Sequence, residues 1–343
     1  MNYILNKLPV KTTNSFKVND LKLDIELPKY SNKNNYNISN ADKLIIKQEF
    51  MNNNLESRIG LSFNSYLNTN IVVPKDTSIS ETVIFECDFT LDDVLIDKIN
   101  INYEENSSCN FIFIYKSNDL NKKFKYTVID SNIGDNANGQ ITFVDIMNKN
   151  STNFTAINNS SLDYSNISYN VFDIGSNIKV YNFYGNVHNN ASNNLNSIYL
   201  GLDNSIIDIN YYLNNMGVNS KNNMKVEGAI GGDTKKVFRG TIDFLEGCKN
   251  SIGNESENCV ILSDSAISRS LPQMLCHEED VIGTHGVSSG KIDEDKLFYL
   301  MARGFNKKEA EKLIILANFS SIINNINDSG LRDDIYSILD NNL

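Results

Sequence analysis

The chain contains no tryptophan, four prolines and three histidines, and nowhere an apolar run approaching the ~20 residues that a bilayer-spanning helix takes. Each scarcity excludes something. No helical membrane anchor is expected, and because Met1 to Val10 lacks the charged-then-apolar order of a secretory signal, a cytoplasmic location is expected. Positive charge is also in deficit: 31 Lys plus Arg stand against 42 Asp plus Glu, a formal charge of −11, with no basic block. Neither nucleic acid nor an anionic membrane surface would be attracted, and both are excluded as main partners. The five cysteines, odd in number and without a CxxC pair, make no disulfide framework and read as free thiols or ligands. There is no GxSxG or HExxH pattern, and Gly231-Gly232-Asp233-Thr234-Lys235 lacks Walker A spacing, so a self-contained esterase, zincin or NTPase is not expected.

What is abundant is asparagine, about one residue in six, far above ordinary globular usage. Asn favours turns, left-handed backbone positions and stacked side-chain ladders, so a turn-rich fold suits it. From about Ile71 to Ser270, short runs of Val, Ile, Phe, Tyr and Thr alternate with Asn, Ser, Gly and Asp clusters, the signature of strands and turns, and no helical period interrupts them. In Val237 to Phe244, residues Phe238, Gly240, Ile242 and Phe244 share one face and Val237, Arg239, Thr241 and Asp243 the other, giving one buried face and one wet or paired. Asn-Gly hairpin turns are rare, Asn138-Gly139 being the clearest, which disfavours a tight antiparallel meander. A solenoid with coils of roughly 20 to 25 residues fits the spacing best.

The ends differ from this body. Residues 1–70 read as an N-terminal arm with polar loop from Ser31 to Asn40 and a short helix from Ala41 to Asn52. Residues 71–290 form the β core, and 291–343 a helical domain. In that tail Asp293 caps a helix that Gly304 ends, and Asn306 to Glu309 is a capping-box start for a second helix with Ala310, Leu313, Ile314 and Ala317 as its apolar stripe. Leu331, Ile335, Ile338 and Leu339 repeat the pattern in a third.

The ligand-type side chains concentrate in one window, residues 271–286, which holds Cys276, His277, Glu278, Glu279, Asp280 and His285. Thiolate and imidazole together suit iron or zinc. Against that stands the plainer reading, a buried thiol, a solvated acidic turn and a structural histidine. If the stretch is extended, Cys276 and Glu278 share a face and His277 points away. Cys87 and Cys109 read as core residues, Cys248 as part of a turn, and His188 as a turn residue.

The sequence resembles the SufB/SufD family, most of all its short SufD-type members. The resemblance rests on Phe238-Arg239-Gly240-Thr241-Ile242-Asp243-Phe244, Val260-Ile261-Leu262-Ser263-Asp264, Leu275-Cys276-His277-Glu278-Glu279-Asp280-Val281, Thr284-His285-Gly286 and Gly290-Lys291-Ile292-Asp293-Glu294. It implies a mainly β fold, a right-handed parallel β-helix with a small helical C-terminal domain. It implies a non-catalytic scaffold subunit of the SUF iron-sulfur assembly system, pairing with a SufB-like paralogue or with itself. A SufC-like ABC ATPase would dock on the helical tail and supply ATP hydrolysis; Leu297, Phe298, Leu313 and Ile314 belong to that tail, and packing between its helices is the plainer reading for more than half of them. A transient iron-sulfur cluster shared with a partner is implied, and a flavin at the level of the complex is left open.

By the same resemblance His285 matches the family histidine beside the nascent cluster. Where many longer SufD proteins carry a cysteine two residues earlier, this chain has Gly283, so Cys276 is the candidate to replace that thiolate as a metal ligand. Gly286 stands where SufB proteins carry glutamate, which favours SufD. The SufB cluster-building cysteine aligns with Glu257, two residues before Cys259. A second reading from a different class is a cytoplasmic β-solenoid that binds or cleaves polysaccharide, and a third is a strut that contributes no ligand.

Overall fold

The computed structural model describes residues 1–29, 34–89, 91–117 and 119–343, so part of the polar loop expected from Ser31 to Asn40 lies outside the described residues. From Tyr66–Val73 onward, consecutive strands alternate between two nine-stranded sheets, and each pairs in parallel with the strand two places further on. The result is a parallel β-solenoid of about eight turns. A turn is longer than the expected 20 to 25 residues. Asn166 pairs with Ser192, 26 positions on, and Lys235 with Ile267, 32 positions on. The coil is a flattened one, with two strands of about ten residues per turn, and each straight side consumes more chain than a short strand would.

Three apolar clusters hold it. Between the sheets, identical positions stack from rung to rung: Phe85, Phe113 and Phe143 occupy one ladder, with ring centroids 4.8 Å and 5.1 Å apart. One outer face, carrying Ile112, Val144, Phe172, Ile198 and Ala229, is covered by the C-terminal helices. The opposite outer face, with Tyr126, Phe154 and Val180, is covered by the N-terminal segment through Leu5, Leu23 and Ile59.

This cover decides the polar side of the Lys235–Phe244 strand, which is paired and dry. Arg239 is fully buried, forms a bidentate ion pair with Asp208 at 2.7 and 2.8 Å, and donates from Nε to the carbonyl of Val18 in the arm. Asn6 of the same arm donates to Asp208 at 2.6 Å.

Asparagine fills one corner of the coil. Asn106, Asn136, Asn190, Asn219 and Asn250 each have φ between 56° and 58°, and Tyr164 takes the equivalent place in one rung. Each Asn backbone N–H donates to a carbonyl of the next rung, as from Asn219 to Lys249 at 2.9 Å. Left-handed backbone costs least for Gly and Asn, which accounts for the residue choice.

Two local expectations fail. Residues 41–52 contain no helix; Ile45–Met51 is a strand, antiparallel to Tyr66–Val73. Its β-branched start and the open sheet edge beside it outweigh the weak helical spacing. The helices α1 (Glu294–Ala302), α2 (Lys307–Ile323) and α3 (Ser329–Asn342) begin at the expected caps, Asp293 and the Asn306/Glu309 capping box among them, and Gly304 at φ 102° follows α1. The buried stripe of α2 is shifted, however: Ala310 is buried together with Ile315, Phe319, Ile322 and Ile323, while Leu313 and Ala317 face solvent. In α3 Leu331, Ile335 and Leu339 are buried as the spacing predicts.

Candidate functional site

The two ends of the solenoid differ. At the N-terminal end Asn37–Ser39 and Ile45–Met51 close the sheets with antiparallel strands. At the other end Ile267–Cys276 and Val281–Lys291 are the last strands of their sheets, and among the described residues no strand pairs with their outer edges. The final strand is exposed along nearly its whole length.

His285 and Cys276 both lie on this terminal rung, and both are exposed. Alternation places both side chains on the inward-facing side: His285 pairs in register with buried Glu255, and Cys276 with Phe244 of the core. They do not meet. Gly283 lies against Met274, and Ser268 is hydrogen-bonded to Ser289 at 2.9 Å, which sets His285 opposite Pro272 and Cys276 opposite Val281. That is four positions along the strand, roughly 13 Å. Among the described residues, no three of His, Cys, Asp or Glu converge as a ready-made metal site.

The rest of the acidic window is occupied by structure. The strand ends at Cys276, so the alternation expected through residue 279 stops there. His277 points toward Asp243, at 3.6 Å, and its backbone N–H donates to Phe244. The Glu278 carboxylate accepts from the backbone N–H groups of Gly247 and Glu279, each at 3.1 Å, and the Gly247 bond in particular holds its pKa below the usual carboxylate range.

Beneath the terminal rung, the Ser251–Ile261 strand sends Glu255, Glu257 and Cys259 into the interior. Glu257 is saturated with donors: the Lys236 ammonium, the Tyr199 hydroxyl at 2.8 Å and the Ser270 hydroxyl at 2.6 Å. Cys259 lies next to this cluster, its thiol pushed up by burial. Glu255 is different. It is 3% exposed, and neither carboxylate oxygen has a hydrogen-bond partner. Burial first, and the neighbouring Glu257 second, push its pKa up to about 8. Sequence reasoning reached Glu257 and Cys259 but passed over Glu255; the signal was two glutamates at alternate positions of an otherwise inward-facing strand.

Of the remaining thiols, Cys87 and Cys109 are core residues, each pushed up to about 12 by burial, and Cys248 is buried too. In the tail Leu297 and Ile314 are half-buried, whereas Phe298 is 73% exposed and Tyr299, Met301, Phe305 and Leu313 are exposed as well. α1 has no buried residue at all. No helix of the described residues is long and apolar enough to cross a membrane.

Residues 89–318 match the family model of the SUF system FeS cluster assembly SufBD core domain. The chain is 27% identical to the iron-sulfur cluster assembly protein SufD of Escherichia coli K12 over 148 residues, 43% of this chain and 34% of that protein. It is 27% identical to SufD of Bacillus subtilis 168 over 113 residues, 33% of this chain and 26% of that protein. A SufBD family protein of Pyrococcus horikoshii is 28% identical over 121 residues, 35% and 27% of the two chains. The matched stretches thus span about a third or less of these relatives.

Proposed function

The chain belongs to the SufB/SufD family, the core domain of which matches residues 89–318, and from that membership we propose that it is a SufD-like scaffold subunit for iron-sulfur cluster assembly. The observation that carries this reading is the open end of the solenoid. Two strands of 10 and 11 residues end the sheets there with backbone edges that no strand among the described residues pairs, beside an exposed imidazole and an exposed thiol. An unpaired edge is a template for another strand, and a second SufBD-type solenoid, a SufB-like paralogue or another copy of this chain, presents strands of the same kind.

The cluster is cargo in this reading. His285 and Cys276 supply an imidazole and a thiolate to iron, and because about 13 Å separates them along the strand, each acts with ligands contributed across the interface and not with the other. Cys276 is exposed and open to a partner's groups, unlike the four buried thiols. Phe298, Tyr299 and Met301 form the surface offered to a SufC-like ATPase, since exposed aromatic and Met side chains on a helix with no buried face are the composition of a docking site. ATP-driven movement of that partner would reach the solenoid end through the helical tail. The residues give no comparable support to a polysaccharide-handling solenoid, and the family matched is one of iron-sulfur assembly.

The test is co-expression with SufB-like and SufC-like chains, affinity purification, and anaerobic iron and sulfide analysis of wild type, His285→Ala and Cys276→Ala. The expected result is a stable complex whose iron content falls in both variants. Unchanged iron in both would reduce the chain to a strut, and the absence of any complex would overturn the assignment.

A further inference from the structure

We propose that Glu255 and His285 together form a ferrous-iron site in the mouth of the solenoid, with the imidazole on the solvent side and the carboxylate closing the site from within. The two residues are register partners on adjacent parallel strands and project from the same face. Neighbouring strands lie about 4.8 Å apart, a separation that one cation bonded to both side chains spans at ordinary metal-ligand distances.

The carboxylate is the unusual half of the pair. A buried carboxylate ordinarily has two or more donors, as Glu257 does two positions along the same strand. Glu255 has none on either oxygen, although it is 3% exposed. The space it occupies is made for it by Gly240 on the facing strand: a Cβ added there would lie 2.0 Å from Glu255 Oε1. On the terminal rung above, Gly240 pairs in register with Pro272 and Glu255 with His285, so the carboxylate sits one rung below the opening. A buried carboxyl with no donor on either oxygen, beneath an exposed imidazole, lacks a partner that a cation would supply.

The donor set selects the cation class. One carboxylate and one imidazole suit a borderline divalent ion such as Fe²⁺, with water or a partner's groups in the remaining positions, whereas a thiolate set would favour zinc or an assembled cluster. Cys276, four positions along the strand, lies outside it. The role is staging: iron waits at the mouth of the solenoid before a cluster forms at the interface. Iron as the ion follows from the scaffold reading above; the site itself follows from the residues.

Anaerobic titration of the isolated full chain with Fe²⁺ tests this, with Co²⁺ as a spectroscopic stand-in whose d–d absorption reports the ligands. Wild type should bind one equivalent, and Glu255→Gln and His285→Ala should each weaken binding by at least about tenfold. Glu255→Gln should melt no lower than wild type without metal, because it keeps the shape and breaks no hydrogen bond; Glu255→Asp, which withdraws the carboxylate but retains it, should bind with intermediate affinity. The thermal shift produced by Fe²⁺ in wild type should vanish in Glu255→Gln. Wild-type affinity in Glu255→Gln, or in His285→Ala, would overturn the site. A complex that assembles clusters while Glu255→Gln keeps full iron affinity sinks this inference alone; iron bound through Glu255 in a chain that pairs with no SUF partner sinks the scaffold reading alone.

Discussion

Glu255 is one of several carboxylates carried inside the solenoid, and Asp97 shows what such a group does to stability. It is completely buried, accepts from the hydroxyls of Tyr36 and Thr127, and burial nevertheless pushes its pKa up to about 6. A carboxyl whose folded pKa is raised contributes stability below its unfolded value, near 3.8, and that contribution is lost as pH rises through about 6. The size is on the order of 3 kcal/mol at neutral pH. Asp97→Asn should therefore gain on wild type between pH 4 and pH 7, by up to about that amount, in urea titrations at the two pH values. A constant difference across that range would show that Asp97 does not titrate as described. Residue identities in this interior were hard to read from sequence for a plain reason. Lys125, Asp145, Asp173 and Lys179 look like surface charges, and they are buried because each meets an opposite charge from another position of the coil or from its own turn.

At the scale of elements, what could be read was local. The alternation of strands, the Asp293 cap, the Asn306 to Glu309 capping box and the α3 stripe depend on residues within about one turn of helix or strand of one another, and they stand where the spacing put them. What could not be read was set at a distance. Arg239 owes its burial to Val18, 221 positions earlier, and the α2 stripe is fixed by which face meets the outer sheet at Ile198 and Ala229. The site divides in the same way: His285 and Cys276 stand out by residue type, whereas the pairing of Glu255 with His285 follows from a register that no short window contains. The turn corner offers a test at this scale. Asn219 has φ 57° and donates from its side chain to Asn190 at 2.9 Å. Asn219→Val should cost about 2 kcal/mol, since a β-branched side chain pays for the left-handed backbone and the ladder bond is lost, whereas Asn219→Gly should cost less than half of that. Equal losses in the two variants, measured by denaturant unfolding, would remove backbone conformation as the reason for the asparagines.

For the whole molecule the decisive property is the difference between its ends. If the open end pairs with a partner solenoid, charge placed beside the last edge should block it without touching the body. Ile282 is 63% exposed and Ser288 is exposed, both on the outward side of the final strand. Ile282→Lys combined with Ser288→Lys should weaken co-purification with a SufB-like chain, or self-association, by at least about tenfold, while the melting temperature moves by no more than a few degrees. Full pairing in that double variant would locate the interface elsewhere.

The antiparallel strands at the other end have a further consequence. A coil with two free ends would be divalent, and divalent units that join end to end grow into fibres. Here the first rung carries strands running the wrong way to continue the stack, with Lys47 and Glu49 on the outermost one. If the molecule pairs through its open end alone, association stops at two solenoids, and the number of mouths facing one another is fixed at a single pair.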